Sequence, residues 1–301
     1  MISSASISSF PSRSEAGAGE ARVEKAFSLV VWGTGLVALA CVAAVFAVLA
    51  VGSWPALKGV GVASFFRGLD WHPTVGEVSL IPMVAGTFAV SLGALMLAGP
   101  VGVGCAIFLS FYGKGRTATA FRLLLQMLSG IPSVVYGLWG LTILVPLIAE
   151  SHPPGASVLA GVVVLSIMIL PTTAVVSEEA IRQLPADLYR GGIGLGIPRH
   201  RVIGKIVLPA ARGVLFAAAL LGLARALGET MAVLMVTGNA IELPTSLFAP
   251  VRTLSANIVL EMAYAVDVHR SALFVTGLVL MTIVLALFVA AARWERGGNH
   301  A

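Results

Sequence analysis

From Phe27 to Val51 the chain runs for 25 residues without a charged side chain. At 1.5 Å per residue that is roughly 37 Å of helix, more than the ~30 Å hydrocarbon layer of a bilayer. Lipid offers no partner to a backbone N–H or C=O, so such a segment must be a helix. Five further apolar runs follow, at about 81–111, 123–149, 156–176, 213–237 and 271–292. Together they predict an all-α polytopic membrane protein with six transmembrane helices. The runs and their connections read as one membrane domain over 26–295, between a disordered tail at 1–25 and a short tail at 296–301. Charged residues make up 11% of the chain, against about 25% in soluble domains, which excludes an ordinary soluble fold.

The basic residues are unevenly placed. If six spans are crossed, the N-terminal tail (Arg13, Arg22, Lys25), the 112–122 turn, the 177–212 connection and the C-terminal tail share one face. That face carries 14 Lys and Arg, the other carries four, and Arg225 lies within a span. The positive-inside bias therefore predicts both termini and the 177–212 connection in the cytoplasm. The net charge of +5 is then a membrane signature and implies no nucleic acid. Cys41 and Cys105 fall in apolar runs as small hydrophobes. The five histidines lie in loops and the tail without ligand-like spacing, so no metal or cofactor is expected. The 52–80 connection reads as exposed, with Trp54 and Trp71 near an interface.

Within the fifth run stand Arg225 and Glu229, at i and i+4 in Arg225-Ala-Leu-Gly-Glu-Thr-Met-Ala-Val233. A charge at bilayer depth costs roughly 2.5–3.5 kcal/mol, so such residues face a bundle interior or a water path. A continuous helix would pair the two, and a pair that opens would act as a gate. Thr230 adjoins them, and Thr87 and Ser91 lie on the second run, where Gly99-Pro-Val-Gly-Val-Gly104 predicts a kink. Such hydroxyls serve as ligands or as helix-packing contacts. The 177–212 connection predicts a short helix after Pro185, a turn at Gly196-Ile-Pro198 and a second helix ending before Pro209. Asp187 reads as the cap of the first helix, and Glu178-Glu179 as part of a cytoplasmic interface.

Gly196-x9-Ile206-x-Leu208-Pro209 resembles the segment by which ABC-importer permeases dock on their ATPase. The family's preceding Glu-Ala-Ala is replaced here by Arg190-Gly191-Gly192, which implies a looser helix start. Leu128-Ser-Gly-Ile-Pro-Ser-Val-Val-Tyr-Gly-Leu-Trp-Gly140, Ala106-Ile-Phe-Leu-Ser110, Ile167-Met-Ile-Leu-Pro171 and the Arg225–Val233 stretch narrow the resemblance to the PstC family of phosphate-importer permeases, over about 71–290. The resemblance implies the six-helix bundle of type I importers. It also implies a PstA-like permease partner, two PstB-like ATPase subunits and a periplasmic phosphate-binding protein of the PstS kind. It implies a bacterial inner-membrane location, and Arg225, Glu229, Thr230, Thr87 and Ser91 are this chain's candidates for the translocation path. Asp187, Arg190, Gly196, Ile206, Leu208 and Pro209 fall on the ATPase-coupling element. The chain carries no Gly-x4-Gly-Lys-Ser/Thr, so ATP hydrolysis is expected from another subunit, and this chain is not itself an enzyme. Import of a related oxyanion such as sulfate or molybdate, or a channel working alone, are the competing expectations.

Overall fold

The computed structural model describes residues 13–298. The described residues form two compact units that divide between Val51 and Gly52. The first holds most of helix α1 (Arg13–Gly59), which begins inside the stretch expected as a tail. Residues 1–12 and 299–301 lie outside the described part.

In the second unit the 52–80 segment is folded rather than an exposed connection. A short antiparallel pair, β1 (Trp71–His72) and β2 (Glu77–Val78), turns through Gly76 at φ 86. Phe65, Trp71, Val78 and Leu80 are all buried. They pack with Leu254 and Leu273 in one apolar cluster, so Trp71 is a core residue whereas Trp54 is exposed.

Helix α2 (Ile81–Ile107) passes through Pro100 without interruption and ends in a π turn at 108–112. Of the glycines expected to break it, Gly102 instead allows close approach, as does Gly93 earlier in the helix. A Cβ on Gly102 would lie 2.5 Å from Thr173 Oγ1, and one on Gly93 2.6 Å from Val162 Cγ2. Both contacts are to α6 (Val158–Arg182), the most buried crossing helix, with 61% of its apolar window buried against 28% for α2. Small residues at such crossings replace the hydrophobic drive that lipid cannot supply.

The third apolar run is broken. Helix α3 (Gly115–Gly130) ends at Ile131, which is extended (φ −70, ψ 129), as a residue ahead of proline prefers to be. Helix α4 (Ser133–Trp139), a π turn at 140–144 and α5 (Val145–Ala149) follow at a bend of 92°. The Tyr136 hydroxyl donates to the Leu128 carbonyl at 2.7 Å and staples the bend.

Beyond α6 come α7 (Ala186–Gly194) and α8 (Arg199–Val202), then a π turn at 203–207 and α9 (Leu208–Gly228). The last three form one 30-residue helical rod, Arg199–Gly228. The helix expected to stop before Pro209 therefore continues. Its π turn closes from Leu208 N–H to Ile203 C=O just ahead of the proline, a position where an ordinary α turn would be disturbed. α10 (Met231–Val236) and α11 (Leu254–Glu261) are short. α12 (Asp267–Gly298) starts ahead of the sixth expected run and extends beyond it. Among the described residues, five helices are long and apolar enough to cross a membrane, or six crossings if the bent α3–α5 segment counts as one.

Candidate functional site

The fifth run is not the continuous helix that the i, i+4 charges suggested. α9 ends at Gly228, Glu229 is extended (φ −72, ψ 135), and Thr230 begins α10 at φ −121 and ψ −60. Arg225 and Glu229 are therefore split by a break. Among the described residues the ion pairs are Arg122–Glu178, Arg182–Glu178, Arg252–Glu261 and His269–Glu261, and Arg225 is in none of them. Its side chain is exposed, and its Nη1 makes a long 3.4 Å contact to Thr172 Oγ1 on α6. The Glu229 carboxylate turns the other way and accepts from Ala232 N–H at 3.3 Å, in the first turn of α10. Negative charge is favourable at that end of a helix. Thr230 Oγ1 donates to the Gly228 carbonyl at 3.4 Å.

A guanidinium with no carboxylate beside it keeps its fork of donors available to an oxyanion. The hydroxyls named with it are placed differently. Thr87 and Ser91 are both 2% exposed. The Thr87 hydroxyl donates to Met83 C=O at 2.7 Å and accepts from Leu254 N–H at 3.0 Å, so it ties α2 to α11. Ser129 is exposed and donates to Gln126 C=O, and Ser133 opens α4.

The 177–212 stretch resolves into the end of α6, the projecting α7 and the start of the long rod. Gly196, at φ 75, closes α7. Ile197 N–H reaches back to the Gly192 C=O and Gly196 N–H to the Ile193 C=O, a glycine stop of the Schellman type. Pro185, not Asp187, is the N-cap, and no side chain caps the helix. Asp187 sits exposed in the first turn, where its charge complements the helix dipole. Gly191 and Gly192 lie toward the end of α7, so they do not loosen its start. Gly192 is buried, and a Cβ there would meet both Val202 methyls at 2.9 Å. Ile206 and Leu208 lie along the rod below, Ile206 packed in the apolar cluster under α7, and Pro209 follows in the first turn of α9. Arg190 is exposed, and with Arg182 and Arg199 it lines a cleft of about 280 Å³ between α7 and the helix ends.

Two polar networks left almost no signal in the sequence. Glu178, 6% exposed, takes Arg122 of α3 at 2.6 Å and 3.0 Å and Arg182 at 3.4 Å; it is an internal tie rather than interface surface. Only the i, i+4 spacing to Arg182 could have been read from the chain. At the other end, Glu261 is 7% exposed and gathers Arg252 Nη1 at 2.6 Å, His269 Nε2 at 2.8 Å and Trp71 Nε1 at 2.8 Å. Arg252 also donates to Asn257 Oδ1 and the Asn239 carbonyl. Next to this node, Ser255 Oγ donates to the Glu229 carbonyl at 2.8 Å.

A central buried helix, short broken helices and a projecting two-helix elbow define a membrane permease of the type I importer fold. Two solved structures share that fold. The inward-facing MetNI methionine ABC transporter aligns over 72% of this chain and 95% of that one, with a TM-score of 0.59 at 17% identity. The bacterial alginate ABC transporter covers 80% and 87%, with a TM-score of 0.58 at 14% identity. The family described as "Binding-protein-dependent transport system inner membrane component" matches residues 98–296. Among curated relatives, the "Phosphate transport system permease protein PstC" of Xylella fastidiosa is 33% identical over 90% of each chain. The PstC of Pasteurella multocida is 36% identical over 81% of this chain and 84% of that one. The "Probable ABC transporter permease protein YqgH" of Bacillus subtilis is 39% identical over 79% of each. The chain belongs to the binding-protein-dependent transport system inner membrane components and, within them, to the PstC permeases.

Proposed function

We propose that this chain is one permease half of an ATP-driven importer that carries inorganic phosphate across a bacterial inner membrane. A PstA-like permease would complete the pathway, and a PstB-like ATPase pair would seat on α7. A periplasmic phosphate-binding protein of the PstS kind would deliver the ion on the opposite face. The observation that carries this reading is the rod Arg199–Gly228, which begins beside α7 and brings Arg225, without a carboxylate partner, to the break at Glu229 and Thr230. A push on α7 from an ATPase would pass through the Gly192–Val202 contact into the rod and along it to Arg225. Arg225 is the proposed anion station. Glu229 and Thr230 form the turn that presents it, while Thr87 and Ser91 are buried.

The test is phosphate uptake in cells lacking their own high-affinity importer, with this chain and its partners supplied. Loss of a charge-assisted contact predicts that Arg225→Ala lowers uptake by at least about tenfold. The variant should still co-purify with its partners. Normal uptake by the alanine variant would remove Arg225 from the pathway. Uptake that sulfate or molybdate competes away would replace phosphate as the substrate.

A further inference from the structure

We propose that Ser255 is a positioning residue for the Glu229 turn, and that α11 is the strut through which the outer face of the permease acts on that turn. The inference rests on the importer reading given above. The break between α9 and α10 exposes a backbone carbonyl at Glu229 that a continuous helix would satisfy internally. Ser255 supplies the missing donor at 2.8 Å, from a side chain only 6% exposed. Its own position is fixed, because it stands in the first turn of α11, whose cap Thr253 accepts from Ala256 N–H and lies 3.2 Å from the Ser255 hydroxyl.

The C-terminal end of α11 is anchored to outer elements, and its N-terminal end to α2 through the Leu254 N–H to Thr87 bond. Arg252, just ahead of it, pairs with Glu261 at its last residue. The same carboxylate takes Trp71 from the β1–β2 pair and His269 from the start of α12. A buried carboxylate with three donors on three separate segments cannot shift alone without stranding a charge. A displacement of the β1–β2 pair or of the α12 start therefore moves α11, and α11 carries Ser255. The Glu229 turn follows through a single hydrogen bond, and Arg225 is four residues away on the adjoining helix.

This role predicts loss of coupling without loss of assembly. The complex, reconstituted with its ATPase and phosphate-loaded binding protein, is assayed in parallel for phosphate uptake and for binding-protein-stimulated ATP hydrolysis. Ser255→Ala should cut uptake by about fivefold or more, the scale of one buried hydrogen bond, with hydrolysis retained. Ser255→Thr keeps the hydroxyl and should restore uptake to within about twofold of the parent, since less than one hydrogen bond separates them. Glu261→Gln keeps the shape of the node without its charge and should uncouple in the same direction. That variant decides the matter if Ser255→Ala fails to assemble. The proposal is overturned if uptake survives Ser255→Ala, if threonine is as poor as alanine, or if uptake and hydrolysis fall together. Should the parent complex move another oxyanion instead, the phosphate reading fails on its own, and the Ser255 variants are judged with that ion.

Discussion

A hydroxyl can join a substrate's coordination only if it is free, and the hydroxyl of Thr87 is bonded on both sides. It was legible as a small polar residue in an apolar run, but nothing in the chain announces a partner 167 residues away. Thr87→Val keeps the shape and leaves Leu254 N–H buried without an acceptor, at a cost of about 1–3 kcal/mol. We expect a lower thermal midpoint for the purified complex and an unchanged KM for phosphate. A raised KM at unchanged stability would return Thr87 to the pathway. Arg225 was legible for the opposite reason: the price of a charge among apolar neighbours is visible without any structure. Its expected partner was not, because Arg225-Ala-Leu-Gly-Glu-Thr reads as unbroken helix. The carbonyl that Ser255 holds exists only once the helix stops.

At the scale of elements, lipid made the long runs readable, since about 20 apolar residues are needed to cross. The breaks were harder, because a proline or glycine is compatible with either a straight or a bent helix. Pro100 and Pro171 sit inside continuous helices, whereas Pro132 marks a 92° bend. Pro146 and Pro209 are each accommodated by a π turn that closes just before them. Which outcome occurs depends on neighbours that can satisfy the freed carbonyls. Of the Arg190-Gly191-Gly192 departure, α8 explains only Gly192, through Val202. Gly191 has nothing within 4 Å of an added Cβ, so Gly191→Ala should raise stability by up to about 1 kcal/mol through helix propensity. Gly192→Ala would press on Val202, which is fully buried and, being β-branched, has little rotamer freedom. Overpacking of about 1–3 kcal/mol should outweigh the propensity gain and lower the thermal midpoint. The double variant Gly192→Ala with Val202→Ala should be more stable than the sum of the single changes, because the two share one contact. Additive effects would show that the glycine serves something other than Val202.

For the whole molecule, the decisive element is the bent α3–α5 segment, which either crosses the membrane once or returns to the side it left. Arg122, midway along α3, pairs with Glu178 near the end of α6. Ser157, at the start of α6, lies just after the segment's far end and donates its N–H to the Val236 carbonyl. Residues 157 and 178 are separated by roughly 30 Å along a helix at 1.5 Å per residue. The chain between Arg122 and Ser157 has therefore travelled the length of α6, which a re-entrant loop would not do. The charge distribution agrees. With the bent segment as a crossing, and α1 as another, one face carries 14 basic residues and the other four. With it as a re-entrant loop the split becomes eight against ten, which no positive-inside bias would produce. We expect single cysteines placed at Thr117, His200 and after Gly298 to be labelled from the cytoplasmic side by an impermeant reagent. Cysteines at Thr74 and Ser246 should be labelled from the periplasmic side. Labelling at His200 from the side opposite Thr117 would mean that the bent segment does not cross, and α7 would then be out of reach of any cytoplasmic ATPase.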